Sequence, residues 1–346
     1  MKKNKQPHIL IIYTGGTIGM IEDEDSRKLL PFDFSHLIDN VPKIKMLDYI
    51  IDNIQFNPPI DSSEMNPSHW VEIARAIDEN YEIYDGFVVL HGTDTMAYTA
   101  SALSYMLGNL SKPVIITGSQ LPIGEVRTDG EENLITALQI AAAREINGQP
   151  MIQEVAILFE DYLWRGNRAT KMSSDNFNAF KSNNYPSLAK IGLGIHFNDE
   201  ALRRMPIRRR LHVQYQLDTS VMFFTIFPGI TREVVHHVFT TPGIKGIVMK
   251  TFGAGNAFSD EWFVEEIKDA IERGVVIVNV SQCISGGVGS SRYPSSDVLT
   301  QAGVVFGHDI TDEAAITKLM YLFGQGLTPS AVRYAMEYSI AGEVTV

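Results

Sequence analysis

The chain has 346 residues, of which 45% are hydrophobic and 20% charged, and its formal net charge is −12. This composition is typical of a globular protein with one large or two medium domains, and the negative charge argues against nucleic acid or an anionic membrane as the main partner. The single cysteine, Cys283, excludes an internal disulfide framework, and no apolar stretch approaches the ~20 residues that a membrane span needs. The sequence therefore predicts a cytoplasmic protein with no membrane or nucleic-acid partner.

The stretch that organises the chain is His8–Tyr13, followed directly by the loop Thr14–Gly19. Six mostly apolar residues without helical spacing predict a strand that is buried on both faces. The paired glycines of the loop let the backbone turn tightly and approach a small ligand, although an ordinary glycine-rich turn is the structural alternative. The loop matches neither a phosphate loop nor the G-x-G-x-x-G fingerprint, which disfavours a nicotinamide-dependent dehydrogenase.

Strands and helices alternate along the rest of the first half. The acidic segment Glu22–Lys28 is interpreted as an exposed flap or as a solvated loop. The elements predicted after it are a strand at 50–56, a helix that begins at Asn66-Pro67, a strand at 86–91, a helix at 97–107, a strand at 113–117, a helix at 129–144 and a strand at 154–159. Alternation with short links predicts a parallel α/β sheet.

The regular pattern is lost from about Tyr185 to Leu217 and then resumes. The elements predicted in the second half are strands at 221–227, 246–250 and 275–280, and helices at 231–239 and 260–272, with a last helix at about 312–323. We expect an α/β fold of two domains with mainly parallel sheets: a larger N-terminal domain at 1–195 that carries the active site, a linker at 196–217 and a smaller C-terminal domain at 218–346. The arginines of the linker are interpreted as a solvated face or a subunit contact.

Four predicted strands of the first half end in small polar residues. These residues are Thr14 and Thr17, then Asp61, Ser62 and Ser63, then Thr93 and Asp94, and finally Ser119 and Gln120. The carboxyl ends of parallel strands meet at one edge of a sheet, so these groups would surround a single crevice. Such a pocket suits a small zwitterion, because a carboxylate binds its ammonium and hydroxyls bind its carboxylate. Lys171 could supply the amine that activates a hydroxyl nucleophile.

Each candidate has a structural alternative. Hydroxyls at strand ends are commonly caps or turn formers, Asp94 could be a helix cap, and Lys171 could be a surface charge. His91 could be a general base for Ser119, but no G-x-S-x-G elbow accompanies it, which favours a histidine of the core or of a turn. No cluster of histidine, cysteine and carboxylate residues has metal-ligand spacing, so we expect no metal site.

The loop Thr14–Gly19 together with His91–Ala100 resembles the pair of signature motifs of bacterial-type L-asparaginases. The similarity runs almost end to end and is greatest to the cytoplasmic, type I branch, through Asp61–Ser63, Thr117–Gln120, Tyr162–Arg168 and Ser281–Cys283. The resemblance implies a large N-terminal and a smaller C-terminal α/β domain, and a homo-oligomer that is a dimer or a tetramer of intimate dimers. It also implies hydrolysis of L-asparagine to L-aspartate and ammonia without a cofactor.

The resemblance assigns roles by position in these motifs. Thr17 would be the nucleophile that forms an acyl-enzyme, and Thr93 with Asp94 and Lys171 would form the second catalytic group. The substrate-binding residues it implies are Asp61, Ser62, Ser63, Thr93, Asp94 and Ser119. Among them, the two serines Ser62 and Ser63 would hold the α-carboxylate of the substrate and Asp94 its α-ammonium. The backbone near Ser119 would face the side-chain amide.

The chain departs from the family pattern in three places. The tyrosine that the family carries in its flap is absent from Lys28–Pro31, which leaves the first proton acceptor open. Type II relatives insert an asparagine from the neighbouring subunit, and the sequence after Gly253–Asn256 does not carry it. Some type I members bind asparagine at a second, allosteric site. The matching positions here are Thr170, Lys250 and Cys283, but Lys250 replaces an arginine and cannot make the same planar contact to a carboxylate.

Two other functions are alternatives. The asparaginase-like subunit of archaeal-type tRNA-dependent amidotransferases carries an additional N-terminal domain, whereas the first motif here begins by residue 14. A catalytically silent amino-acid sensor would use the same crevice, and the absent flap tyrosine keeps this alternative open. The four residues Thr17, Thr93, Asp94 and Lys171 favour an enzyme, because a sensor needs neither both hydroxyls nor the lysine.

Overall fold

The computed structural model of the chain describes residues 6–22, 29–31, 41–123, 125–205, 209–289 and 294–345. The chain divides into two compact units. The first unit is Met1–Ser182 with Pro186–Tyr215, and the second is Asn183–Tyr185 with Gln216–Val346. Among the helices of the described residues, none combines the length and the apolar character that crossing a bilayer requires.

The elements of the first unit begin with β1, the strand that organises the sequence. The strands are β1 (His8–Tyr13), β2 (Met20–Glu22), β3 (Leu29–Pro31), β4 (Ile50–Gln55), β5 (Gly86–Leu90), β6 (Leu107–Gly108), β7 (Val114–Thr117), β8 (Val155–Phe159), β9 (Tyr162–Arg165), β10 (Thr170–Lys171), β11 (Phe180–Lys181), β12 (Ala189–Ile191), β13 (Ile195–Phe197) and β14 (His212–Val213). The helices are α1 (Pro67–Asn80), α2 (Met96–Met106) and α3 (Gly130–Ala142).

The main sheet of this unit has the strand order β13-β12-β9-β8-β7-β5-β1-β4. Strands β4, β1, β5, β7 and β8 run parallel to one another, and antiparallel pairings then join β8 to β9, β9 to β12 and β12 to β13. The apolar side chains of β1, β5 and β7 are buried on both faces, as their continuous hydrophobic runs predict. Three short ribbons pair β2 with β3, β10 with β11 and β6 with β14.

The strand order creates a crevice between β1 and β5. The chain leaves β1 for β4 on one side and then returns to β5 on the other side of β1. The loops after β1 and β5 therefore lead away from each other. In open α/β sheets, ligands bind at such a switch point, outside the carboxyl ends of the strands.

The second unit has a parallel sheet in the order β15-β16-β17-β18. Its strands are β15 (Val221–Thr225), β16 (Gly246–Thr251), β17 (Val276–Ser281) and β18 (Val305–Phe306). Its helices are α4 (Arg232–Phe239), α5 (Glu261–Glu272), α6 (Pro294–Ala302), α7 (Asp312–Gly324) and α8 (Pro329–Met336). The buried core of this unit includes Phe239, Phe263 and Ile277.

The predicted fold class, two α/β domains with mainly parallel sheets, is confirmed. The expectation that the helix near 312–323 is the last one is wrong, because α8 follows it at Pro329–Met336. The region from 185 to 217, expected to be irregular, contains β12, β13 and β14. These strands have only two or three residues, which is too short to show a hydrophobic period.

Residues 201–203, which lie in the predicted linker at 196–217, are hydrogen-bonded to the sheet of the first unit. The buried carboxylate of Glu154 binds Arg165 Nε at 2.5 Å and also accepts the backbone N–H of Arg203 at 2.8 Å. Arg165 in turn donates to the carbonyl of Ala201 at 2.9 Å. Both members of this ion pair are almost fully buried, so it holds the segment through charge-assisted hydrogen bonds.

Candidate active site

Glycine contacts bring the loops after β1, β4 and β5 together. Gly16 has a φ of 91°, in the region that glycine adopts without strain, and a Cβ added to it would lie 2.5 Å from the Gly92 nitrogen. A Cβ added to Gly92 would lie 2.5 Å from Ser62 Oγ. Only hydrogen fits at either position, so the three loops touch at the carboxyl edge of the sheet, next to Thr17 and Thr93.

The two threonines of the first loop have different environments. The Thr14 side chain is buried, and its hydroxyl donates to the Leu90 carbonyl at 2.9 Å, so it joins β1 to β5. Thr17 begins the short 3-10 turn Thr17–Gly19 and is partly exposed. Within the described part of the chain, its hydroxyl has no hydrogen-bond partner. Thr17 is therefore the threonine whose oxygen is accessible to a ligand.

Tyr13 packs against the 3-10 turn Thr17–Gly19. Its hydroxyl donates to the Gly19 carbonyl at 2.9 Å, and its ring fills the space that a Cβ on Gly19 would need. Burial raises the pKa of Tyr13 to about 12. The phenol is thus a poor substitute for the tyrosine that is absent from the flap. The predicted flap itself falls mostly on residues 23–28, outside the described residues, and the flanking strands β2 and β3 pair antiparallel.

Lys171 links the two polar residues that follow β5. Its Nζ donates to Thr93 Oγ1 at 2.8 Å and lies 2.6 Å from Asp94 Oδ1. Its side chain is 17% exposed, whereas that of Asp94 is 64% exposed. Lys171 belongs to β10, whose pairing with β11 fixes the backbone from which the side chain reaches the loop. A lysine in this position can exchange a proton with a threonine hydroxyl while the carboxylate stabilises its charged form.

The polar residues after β4 form a capped turn. Asp61 precedes the 3-10 turn Ser62–Glu64, and its Oδ1 accepts both the N–H and the hydroxyl of Ser63 at 2.9 Å. Ser62 is buried, and its carbonyl accepts the Thr95 hydroxyl at 2.7 Å. Asp61 therefore caps this turn, and the same contacts orient Ser62 and Ser63 next to the Thr93 loop.

Ser119 uses its hydroxyl within its own turn. The side chain is 2% exposed, and Oγ donates to the Leu121 carbonyl at 2.6 Å. The Asp129 carboxylate accepts the backbone N–H groups of Gln120 and Leu121 at 2.9–3.1 Å and so fixes this turn. Ser119 can therefore offer its backbone, rather than its hydroxyl, to a ligand.

His91 is a buried histidine of the core. Its Nδ1 contacts the Gly92 carbonyl at 2.6 Å and its Nε2 contacts Thr99 Oγ1 at 2.8 Å. Burial lowers the pKa of His91 to about 4. Both ring nitrogens are hydrogen-bonded to other groups, so the interpretation of His91 as a general base for Ser119 is wrong. The contact of His91 with Thr99, eight residues away on α2, was not predicted from the sequence, although both residues lie in the second signature motif.

The three residues of the implied second site belong to different units. Thr170 precedes Lys171 on β10 in the first unit, whereas Lys250 and Cys283 belong to the second unit. Lys250 Nζ forms a hydrogen-bonded ion pair with Asp312, the first residue of α7. Cys283 is exposed, and its N–H donates to Ser281 Oγ at 2.9 Å. Asp312 carries no local sequence signal for this pairing, because it lies 62 residues from Lys250.

The described residues contain no group of three or more His, Cys, Asp or Glu side chains arranged to hold a metal ion. The groups that the crevice does offer are hydroxyls, backbone N–H groups, a carboxylate and a lysine. This set suits acyl transfer, which needs a nucleophile, a proton acceptor and donors for a developing oxyanion.

Two family models match the chain. "Asparaginase, N-terminal" matches residues 8–203, and "Glutaminase/Asparaginase C-terminal domain" matches residues 220–336. L-asparaginase 1 of Escherichia coli strain K12 is 41% identical over 97% of this chain and 98% of its own length. The crystal structure of L-asparaginase I from Vibrio cholerae superposes with a TM-score of 0.90 at 39% identity, covering 99% of this chain and 100% of that one. A structure described as a probable cytoplasmic L-asparaginase from Campylobacter jejuni gives a TM-score of 0.79 at 25% identity, covering 96% and 100%.

Proposed function

Because this chain belongs to the asparaginase family, as its two motifs predicted, we propose that it hydrolyses L-asparagine to L-aspartate and ammonia through a threonine acyl-enzyme. The observation that carries the proposal is the position of Lys171 Nζ between Thr93 Oγ1 and Asp94 Oδ1. The loop that holds these two residues touches the loop that carries the accessible hydroxyl of Thr17.

The proposed reaction has two steps. In the first, Thr17 Oγ attacks the side-chain amide carbon while backbone N–H groups stabilise the oxyanion. The proton that Thr17 loses is transferred to the amide nitrogen, so the C–N bond breaks and ammonia leaves. In the second, a water molecule attacks the resulting ester. Its proton passes to the Thr93 oxygen while the Thr93 hydroxyl proton passes to Lys171 Nζ, a step that requires the amine form of the lysine. The proton held by Lys171 then returns through Thr93 to Thr17 Oγ, so Thr17 leaves as an alcohol and L-aspartate is released.

The remaining groups of the crevice are proposed to bind the substrate. Asp94 is 64% exposed and accepts the α-ammonium, while Ser62 and Ser63 hold the α-carboxylate, with Asp61 orienting Ser63. Thr93 and the backbone at Ser119 face the side-chain amide. This mechanism uses no cofactor, since hydroxyl, amine and backbone groups supply every proton and hydrogen bond that it needs.

We also propose the organisation that the sequence predicts around this site. The N-terminal domain at 1–195 carries the active site and the smaller C-terminal domain begins at 218, in a cytoplasmic homo-oligomer that is a dimer or a tetramer. The unpaired Cys283 fits a reducing compartment. Light scattering on the purified protein tests the assembly: a monomer would contradict it.

A second asparagine site that uses Thr170, Lys250 and Cys283 is the regulatory part of the proposal. The ion pair of Lys250 with Asp312 is relevant to this site, because a substrate carboxylate that binds Lys250 must either displace the Asp312 carboxylate or share the ammonium with it. Saturation curves test it directly. A sigmoidal dependence of rate on asparagine that becomes hyperbolic in Lys250→Met supports the site, and a hyperbolic curve in the unmodified protein contradicts it.

The experiment for the main proposal is ammonia release from the purified protein over a range of L-asparagine concentrations, with L-glutamine in parallel. Turnover of asparagine supports the hydrolase. The absence of the flap tyrosine favours the silent sensor as the second candidate. That alternative predicts no ammonia, together with a melting temperature that rises when asparagine is added.

A further inference from the structure

A chain of buried polar side chains leads from helix α1 to the loop that carries Thr93. Trp70 Nε1, on α1, donates to Thr99 Oγ1 at 3.0 Å. Thr99, on α2, contacts His91 Nε2 at 2.8 Å, and His91 Nδ1 contacts the Gly92 carbonyl oxygen at 2.6 Å. None of the three side chains is more than 5% exposed. Water therefore does not compete for these hydrogen bonds.

The chemistry of the donors fixes the direction of the chain. An indole N–H can only donate, so the Thr99 oxygen accepts from Trp70 and its own proton is available to His91 Nε2. The Gly92 carbonyl can only accept, so we assign the imidazole proton to Nδ1. Burial lowers the pKa of His91 to about 4, which keeps the ring neutral near pH 7 and leaves Nε2 able to accept.

The Gly92 peptide, whose carbonyl His91 contacts, lies where the loops after β1, β4 and β5 pack against one another. A Cβ on Gly16 would reach the Gly92 nitrogen, and a Cβ on Gly92 would reach Ser62 Oγ, so Gly92 has no side chain that could anchor it. The bond from His91 therefore controls the orientation of the Gly92 carbonyl. Because Thr93 follows directly, rotation of this peptide would displace Thr93 Oγ1 from Lys171 Nζ, to which it lies at 2.8 Å.

We propose that His91 is a positioning residue, which holds the Gly92 carbonyl through its Nδ1–H so that Thr93 stays within proton-transfer distance of Lys171. Thr99, which accepts from Trp70, donates its own proton to Nε2 and so favours the tautomer that carries the imidazole proton on Nδ1. This inference rests on the proposed hydrolase function. It concerns the rate of the reaction more than substrate binding, because the bonds that orient Ser63 come from Asp61 and not from His91.

The test compares two amide substitutions that differ by one methylene. In His91→Asn, the side-chain amide can occupy the position of Nδ1 and donate to the Gly92 carbonyl. In His91→Gln, the amide reaches towards Nε2 and Thr99 instead. His91→Leu removes both bonds. Because a displacement of about 1 Å can cost about 10²-fold in rate, we expect kcat to fall roughly 10- to 100-fold in the Gln and Leu variants, with a much smaller change in KM.

The decisive result is whether the His91→Asn variant retains more activity than the His91→Gln variant. We expect the kcat of His91→Asn to stay several-fold above that of His91→Gln, even where their melting temperatures agree. Equal kcat values in these two variants would overturn the positioning role, as would rates that simply follow the melting temperature. Ammonia release by the unmodified protein, measured in the same assay, separately tests the proposed function. If His91→Leu does not fold, the comparison of Asn with Gln still decides the question.

Discussion

Substitution of Lys171 tests the proton transfer that the site geometry suggests. Lys171→Met keeps the length and apolar stem of the side chain but removes the amine that lies 2.8 Å from Thr93 Oγ1 and 2.6 Å from Asp94 Oδ1. General acid–base catalysis typically contributes about 10²–10⁴-fold to the rate, so we expect kcat to fall by that factor. The assay is ammonia release at saturating L-asparagine.

The same substitution should cost little stability. Asp94 is 64% exposed, so water screens the lost ion pair, and exposed pairs contribute about 0–1 kcal/mol. The lost hydrogen bond to Thr93 adds about 0.5–1.5 kcal/mol. We therefore expect the melting temperature to fall by only a few degrees, since about 1 kcal/mol corresponds to roughly 2–4 °C in a domain of this size. A large loss of rate with a small loss of stability is the expected combination.

Lys171→Arg is the matched control. Arginine retains the positive charge next to Asp94 but does not release its proton in proteins. We expect it to be nearly as slow as the Met variant. Full activity in Lys171→Arg would show that the lysine acts as a fixed charge, and full activity in Lys171→Met would remove it from the mechanism. If it serves the second step, rapid-quench kinetics of the Met variant should show a burst of ammonia followed by slow turnover.

Three further predictions concern the loops of the crevice and the buried histidine. Thr17→Val should abolish ammonia release without lowering the melting temperature, whereas Thr17→Ser should retain part of the activity; full activity in the valine variant would move the nucleophile elsewhere. Gly16→Ala should lower the free energy of unfolding, measured in urea, by about 1–3 kcal/mol or more, because both the φ of 91° and the contact with Gly92 oppose a side chain. An unchanged free energy of unfolding would contradict that packing. Between pH 6.5 and about 4, the unfolded chain protonates His91 while the folded chain keeps it neutral, so the contribution of His91 to the free energy of unfolding should decrease as the pH falls, by about 3 kcal/mol. His91→Asn should show a correspondingly smaller decrease, and an identical pH dependence would contradict the buried neutral imidazole.

Local patterns predicted the elements that position the crevice. The continuous apolar runs of β1, β5 and β7 indicated strands buried on both faces, and the cap at Asn66 with Pro67 behind it marked the start of α1. These signals lie within a few residues of one another. The alternation of strands and helices then predicted the parallel sheet, and with it the edge where the polar strand ends meet.

Pairings over long distances in the sequence could not be predicted in this way. Lys171 contacts Thr93 across 78 residues. The residue pattern suggested only that the lysine could activate a hydroxyl, and the resemblance to the family identified Thr93 as its partner. The pairing of Lys250 with Asp312, 62 residues later in the chain, depends on how loops pack, which no periodicity records. The short strands β9, β12 and β13 were not predicted for a related reason. Each has only three or four residues and is recognisable as a strand only through its hydrogen bonds to a neighbouring strand.

The central claim is that Thr17 carries the acyl group, and the most direct measurement is to locate that group. The protein is mixed with L-asparagine, quenched in acid during turnover, digested and analysed by mass spectrometry, with Lys171→Met run in parallel to slow the second step. We predict an aspartyl ester on the peptide that contains Thr17, and its loss in Thr17→Val. An ester on the peptide that contains Thr93, or rapid turnover with no ester on any peptide, would contradict the mechanism.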